Sequence, residues 1–401
     1  MAGSALAGRR EHGGTRSPFV RLTELLAGLE PGKPLINLSV GEPRHPMPDF
    51  VAPVIAANVN GFAKYPMLRG TDRFRTAAAN WLGRRYKLPR AIDPNKEVVV
   101  LNGSREGLFL AGVAAKRLLG ERAGKPAIIV PNPFYPAYGA GAEVAGCELV
   151  TLPALRENNF IPDYDAVPDE LLARTVAIYL CSPANPQGSV LTRETLSSVI
   201  ARAREAGAYV FADECYSEIW LGDRKPVGAL EACGASFDNV VAFNSLSKRS
   251  NLPGLRCGFA AGDAKFIAAY ADLRNVCAPQ VPEPLQEVAV TAYGDEHHVE
   301  DTRKLYREKF DLADKLLGAR FGHKRPEGGF FLWLDVTSLG DDEAATKTLF
   351  TEAGLRVVPG SYLAREGSDG KNPGAGYIRV ALVDDLRTTE EALTRLASFG
   401  K

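Results

Sequence analysis

The chain of 401 residues has no apolar run approaching the 18 uninterrupted residues that a membrane span needs; stretches such as Val98 to Leu101 soon meet polar residues. A soluble protein with no membrane partner is expected. It also lacks an excess of charge of either sign. Its 48 Lys and Arg balance 48 Asp and Glu, which argues against holding nucleic acid or an anionic membrane by bulk electrostatics. Cysteine is scarce. The six lie at 147, 181, 215, 233, 257 and 277, and the nearest two, Cys215 and Cys233, are 18 positions apart, so no CxxC redox or zinc pair exists and no metal is expected. Such thiols suit a reducing, cytoplasmic setting. The first 18 residues carry Arg9, Arg10 and Glu11 where a secretory signal would be apolar, and read as a frayed tail. Internal repeats are absent. Two apparent nucleotide motifs also fail: after Gly139 and Gly141 the third glycine position holds Val144, and Gly120 with Gly124-Lys125 misses the phosphate-loop spacing by one residue.

What is present is an alternation of short β-branched runs with helical periods, the pattern of a mostly parallel α/β sheet covered by helices on both faces. Strands are predicted over 97–101, 127–131, 147–152, 175–181, 209–213, 239–244 and 257–261. Thr192 with Glu194 opens a predicted 16-residue helix bearing Leu196, Val199 and Ile200, which Gly207 closes. Near residue 295 the rhythm changes to one long helix with Val299, Tyr306, Phe310, Ala313 and Leu317 on one side. A strand from Gly328, a helix from Asp341, strands near Val357 and Ile378 and a helix from Thr388 follow. The expected division is a tail and arm over 1–50, a large domain over 51–294 and a smaller C-terminal α/β domain over 295–401. Between Pro31 and Pro53, proline and glycine suggest extended chain.

The chemistry concentrates at predicted strand ends. In NSLSKRSNLPGLRCGF, from Asn244 to Phe259, Lys248 follows a buried strand, stands beside Arg249, and precedes Arg256 by eight positions. Desolvation and neighbouring cations favour the neutral amine, the form that condenses with carbonyls. Considered alone it reads as a solvated loop lysine, as most lysines in such a place would be; three companions weigh against that. Asp213 ends the run YVFAD, where a carboxylate could keep a pyridinium nitrogen charged, with Tyr216 three residues on. Asn185, in CSPANPQG, is held by prolines at another strand end. In NGSREGL, Gly103 allows a tight turn and the free amides of Ser104 and Arg105 open a helix that could hold a phosphate. Tyr135 stands beyond a further strand end, where it could stack on a flat cofactor or serve the core.

Together, SPxNPxG, DxxY, SxSK followed by an arginine and the late YIRV resemble the class I/II aminotransferases of pyridoxal-phosphate fold type I, in order from roughly Leu35 to Leu396. The resemblance implies pyridoxal 5′-phosphate as cofactor, an amino acid and a 2-oxo acid as substrates, and a homodimer. It assigns the covalent attachment to Lys248 and the pyridine-nitrogen contact to Asp213. Tyr216 and Asn185 would meet the phenolic oxygen and Tyr135 the ring face. Ser104, Arg105, Ser245 and Arg256 would hold the phosphate, as would Tyr65 of AKYPMLRG from the neighbouring subunit. Arg379 would bind the substrate α-carboxylate, with Asn185 and the backbone of Gly41 beside it. Segments such as GSREGLF and SKRSNLPGLRCGF further resemble N-succinyldiaminopimelate aminotransferases, which take glutamate as donor. Gln187 and the string from Val281 to Pro284 depart from the usual pattern, so aspartate, alanine and aromatic aminotransferases, and β-lyases, stay open. A distal carboxylate would need a further cation; Arg44 and Arg69 are the candidates, each equally readable as a surface charge.

Overall fold

The computed structural model describes residues 16–367 and 369–400. Up to residue 15 the expected frayed tail lies outside the described residues; its last residues run into the helix Pro18–Leu25, whose Leu22 packs with Phe350, Val358 and Tyr362. Twelve strands occur among the described residues. They are β1 (Ile36–Asn37), β2 (Val98–Leu101), β3 (Ala127–Asn132), β4 (Glu148–Pro153), β5 (Thr175–Cys181), β6 (Tyr209–Asp213), β7 (Val240–Ser245), β8 (Gly258–Gly262), β9 (Phe331–Asp335), β10 (Leu355–Arg356), β11 (Val358–Pro359) and β12 (Tyr377–Ala381).

The main sheet has the order β2-β8-β7-β6-β5-β3-β4. Within it β4, β3, β5, β6 and β7 pair in parallel, whereas β8 runs antiparallel to both β7 and β2. Every residue of β2, β3, β6, β7 and β8 is buried. This explains their unbroken apolar runs: helices cover both faces, leaving no solvated side to alternate with. The helix Arg193–Glu205 is capped as expected, Thr192 accepting from the Thr195 amide, and buries Leu196, Val199 and Ile200. It is 13 residues long instead of 16, since Gly207 turns the chain at φ +64°.

A second core gathers around the helix His297–Leu317, whose Val299, Tyr306, Phe310, Ala313 and Leu317 are buried. Here β9, β12 and β11 form an antiparallel sheet. The segment from Pro31 to Pro53 is not simply extended chain. β1 pairs in parallel with β10, Ile36 and Leu38 join the second core, and the helix Val51–Asn58 begins inside the segment. A two-residue ladder whose partner lies over 300 positions away leaves no local trace.

Candidate active site

The parallel strands end at one rim of the main sheet, and that rim collects the candidate residues. β7 ends at Ser245, which begins the short helix Leu246–Arg249 and so carries Lys248 to the rim. The Lys248 amine donates to the Gly41 carbonyl at 2.5 Å and lies 5.4 Å from the Phe330 ring centre. Burial pushes this amine down to about 8; Arg379 and Arg256 act in the same direction, while Cys215 and Glu42 oppose it. Ser245 spends its hydroxyl on the helix start, accepting from the Ser247 amide at 3.1 Å and donating to the Ser247 hydroxyl at 3.0 Å.

Because β8 runs backwards, the residues before it return to the same rim. Arg256, at φ +52°, donates to the carbonyls of Pro253 at 2.9 Å and Asn102 at 3.3 Å. Its guanidinium crosses directly over Gly103. A Cβ at Gly103, which has φ +82°, would lie 2.1 Å from Arg256 Nη2, so only glycine admits this crossing. Gly103 in turn precedes the helix Ser104–Leu119, leaving the amides of Ser104 and Arg105 beside that cation. Arg105 Nε donates to the Tyr135 hydroxyl at 2.8 Å, fixing the aromatic next to the cup.

At the end of β6, Asp213 is buried and accepts from the Tyr138 hydroxyl at 2.5 Å and the Cys215 amide at 3.1 Å. Burial raises its pKa, against the hydrogen bonds from Tyr138 and Cys215. Both donors are neutral and Lys248 is the charged group acting on it, so a positive nitrogen facing this carboxylate would add the direct charge complement that these hydrogen bonds do not supply. Arg379, on β12, is also buried. It donates from Nη1 to Asn185 Oδ1 at 3.1 Å and from Nη2 to the Ser39 carbonyl at 2.8 Å, while Nε has no partner among the described residues. The Phe331 ring centre lies 4.4 Å from this guanidinium, and burial pushes its pKa down to about 10. An arginine with unspent donors in an apolar wall suits a substrate carboxylate. Tyr216 is buried against Phe330 and Phe331.

A cup of free helix amides beside a guanidinium, a flanking aromatic, a lysine and a buried acid therefore face one rim, a donor set that fits pyridoxal phosphate. Three expected residues stand apart. Tyr65 is 98% exposed and touches no part of the cup within this chain. Arg44 is paired with Asp384, and Arg69 donates to the Lys96 carbonyl at 2.9 Å, so both candidates for a distal carboxylate are already engaged. Sequence reasoning missed Tyr138 and Phe330. Tyr138 follows Tyr135 by one helical step, which would have placed it on the same side of the chain.

Residues 33–396 match the family Aminotransferase class I and II. Among curated proteins, the LL-diaminopimelate aminotransferase of Syntrophobacter fumaroxidans is 33% identical, covering 92% of each chain. That of Aquifex aeolicus is 32% identical over 92% of this chain and 93% of the relative. Among solved structures, an aminotransferase from Neisseria meningitidis superposes with a TM-score of 0.90 at 37% identity, covering 97% of this chain and 98% of that one. The aspartate aminotransferase of Thermotoga maritima gives 0.83 at 26% identity, covering 98% and 99%. The rim residues and these likenesses agree: the chain belongs to the class I and II aminotransferases, enzymes of fold type I that work through pyridoxal 5′-phosphate.

Proposed function

We propose that this aminotransferase moves an amino group between N-succinyl-LL-2,6-diaminopimelate and 2-oxoglutarate, a step toward diaminopimelate and lysine. The observation that carries the carboxylate end is Arg379, buried, held by Asn185 and Ser39, with Nε unspent. Bound pyridoxal phosphate supplies the electron sink that stabilises the carbanion left when an amino acid loses its α-proton. Asp213 keeps the pyridine nitrogen charged, and Tyr216 and Asn185 orient the phenolic oxygen. Ser104, Arg105 and Arg256 bind the phosphate, as does Ser245 once its hydroxyl proton turns from Ser247 to the phosphate, and Tyr135 covers the ring. The Lys248 amine, once free, carries the proton from the α-carbon.

The diaminopimelate skeleton is supported by the relatives named for LL-diaminopimelate. Those names also favour a second reading, in which unacylated LL-diaminopimelate is the donor. A substrate panel separates them. The expected order places N-succinyl-diaminopimelate with 2-oxoglutarate above alanine and phenylalanine by about tenfold in kcat/KM, roughly 1.4 kcal/mol. A larger value for the unacylated compound selects the second reading, and a neutral amino acid ahead by the same factor overturns both.

We also propose a homodimer with shared sites, in the cytoplasm. Tyr65 is exposed together with Phe62 and Met67, a surface suited to another copy, and the cysteines at 147, 181, 215, 233, 257 and 277 are all free. If Tyr65 completes the neighbour's cup, mixing wild-type chains with Tyr65→Ala/Lys248→Ala chains yields less activity than wild-type content predicts. In each hybrid, the site with the intact lysine lacks its tyrosine. Activity strictly proportional to wild-type chains, with heterodimers verified by mass spectrometry, would exclude sharing.

A further inference from the structure

The Gly41 carbonyl that receives the Lys248 amine sits on a strap, residues 38–45, tied down at both ends to one stretch of chain. At the first end, the Ala381 amide donates to the Leu38 carbonyl at 2.8 Å and Arg379 to the Ser39 carbonyl. At the second end Arg44 pairs with Asp384, and His45 meets Lys309. Arg44 is 40% exposed, so its pair is screened and contributes little. Lys309 differs in kind. Only 1% exposed, it places its amine 2.6 Å from His45 Nε2 and 3.4 Å from the Leu382 carbonyl. The His45 ring lies 4.6 Å from that of Tyr306, one turn away from Lys309 on the same helix. Tyr306 stacks on Phe330 at 5.4 Å, and Phe330 is the ring nearest the Lys248 amine. Polar and aromatic contacts thus run without a break from Lys309 to Lys248.

A lysine buried this deeply is expensive to keep, and a methionine of similar length would fill the space without the desolvation penalty. Burial pushes its amine down to about 8, against Asp384 and Asp385, and pushes His45 to about 4. At neutral pH the partners are therefore a charged donor and a neutral ring acceptor, the complementary combination for one hydrogen bond.

We infer that Lys309 is a positioning residue for the reaction: through His45 it holds the strap so that the Gly41 carbonyl meets Lys248 and the Ser39 carbonyl meets Arg379. This rests on the reading of Lys248 and Arg379 as the working residues, and the test keeps the two separable. In Lys309→Met, amide exchange over residues 40–47 of the apo protein, followed by mass spectrometry, is expected to quicken about tenfold, while the helix His297–Leu317 exchanges as before. In the holoenzyme kcat/KM for the best donor of the panel is expected to fall about tenfold, and Lys309→Arg to recover most of both. His45→Leu, which leaves the buried lysine in place, is expected to loosen the same amides and serves if Lys309→Met does not fold. Unchanged exchange at 40–47 in the variants overturns the inference, whatever the activity. So does looser exchange with unchanged kcat/KM. Failure of the Lys248 reading shows separately, as a Lys248→Ala protein that still turns over.

Discussion

Lys248→Ala is expected to abolish the near-visible absorbance of the holoenzyme and to lower turnover by about 10³-fold or more, within the range of a lost general acid–base group compounded by lost covalent attachment. The reason lies in its surroundings. A lysine whose amine is displaced from 10.5 to about 8 presents, at neutral pH, roughly 300 times more neutral amine than an undisplaced one. The sign fixes a pH dependence. Below about 8 the protonated form predominates, so capture of cofactor by the apo protein should accelerate about tenfold per pH unit from 6 toward 8 and level off beyond. Stopped-flow absorbance at several pH values reads this directly. A rate flat across that interval would show that the amine is not the limiting nucleophile, and a Lys248→Ala protein active at the wild-type rate would remove the assignment altogether.

Asp213→Asn is expected to cost about 10²-fold or more in kcat, since the amide keeps the shape and an acceptor oxygen but not the charge that holds the pyridine nitrogen protonated. Asp213→Glu should keep part of the activity. Stability should move the other way. Burial raises the pKa of this acid, so the folded apo protein binds more protons than the unfolded chain just above the ordinary carboxylate range, and stability is lost as pH rises through it. Removing the charge relieves that penalty. Thermal melts of apo Asp213→Asn at neutral pH are expected to lie at or above wild type while turnover collapses. A melt well below wild type, matching the loss of activity, would make Asp213 a structural residue.

Much of this was legible in the residue order because it is written locally. Five of the seven strands of the main sheet follow from apolar runs buried on both faces, and the cap at Thr192 from its hydroxyl and spacing. Lys248, Asp213, Asn185 and Ser104 could be found because each ends or closely follows a strand, and strand ends share a rim. The rest depends on pairings between distant segments. Nothing near Ile36 announces Leu355, and nothing near Lys309 announces His45, 264 positions earlier. The engagement of Arg44 and Arg69 was hidden for the same reason: an arginine close in sequence to site residues turned to Asp384 in one case and to the Lys96 carbonyl in the other.

The reversed direction of β8 has a consequence for how this scaffold can be altered. Lys248 follows β7 and Arg256 precedes β8, so both belong to one hairpin, and the residues between them act as a ruler between the proposed attachment lysine and the proposed phosphate-binding arginine. The ruler is stiffened by Asn251 and Arg256, both in the left-handed region, and by Pro253 between them. Its side chains are also anchored: Arg249 donates to the Ala292 carbonyl and to Glu296, Asn251 to Thr302, and Leu252 and Leu255 are buried in the core. Its length is constrained as well, because one inserted residue would turn the guanidinium away from Gly103 while leaving the lysine in place. An engineer reworking this fold would therefore hold the count between residues 249 and 255 fixed and make changes elsewhere on the rim.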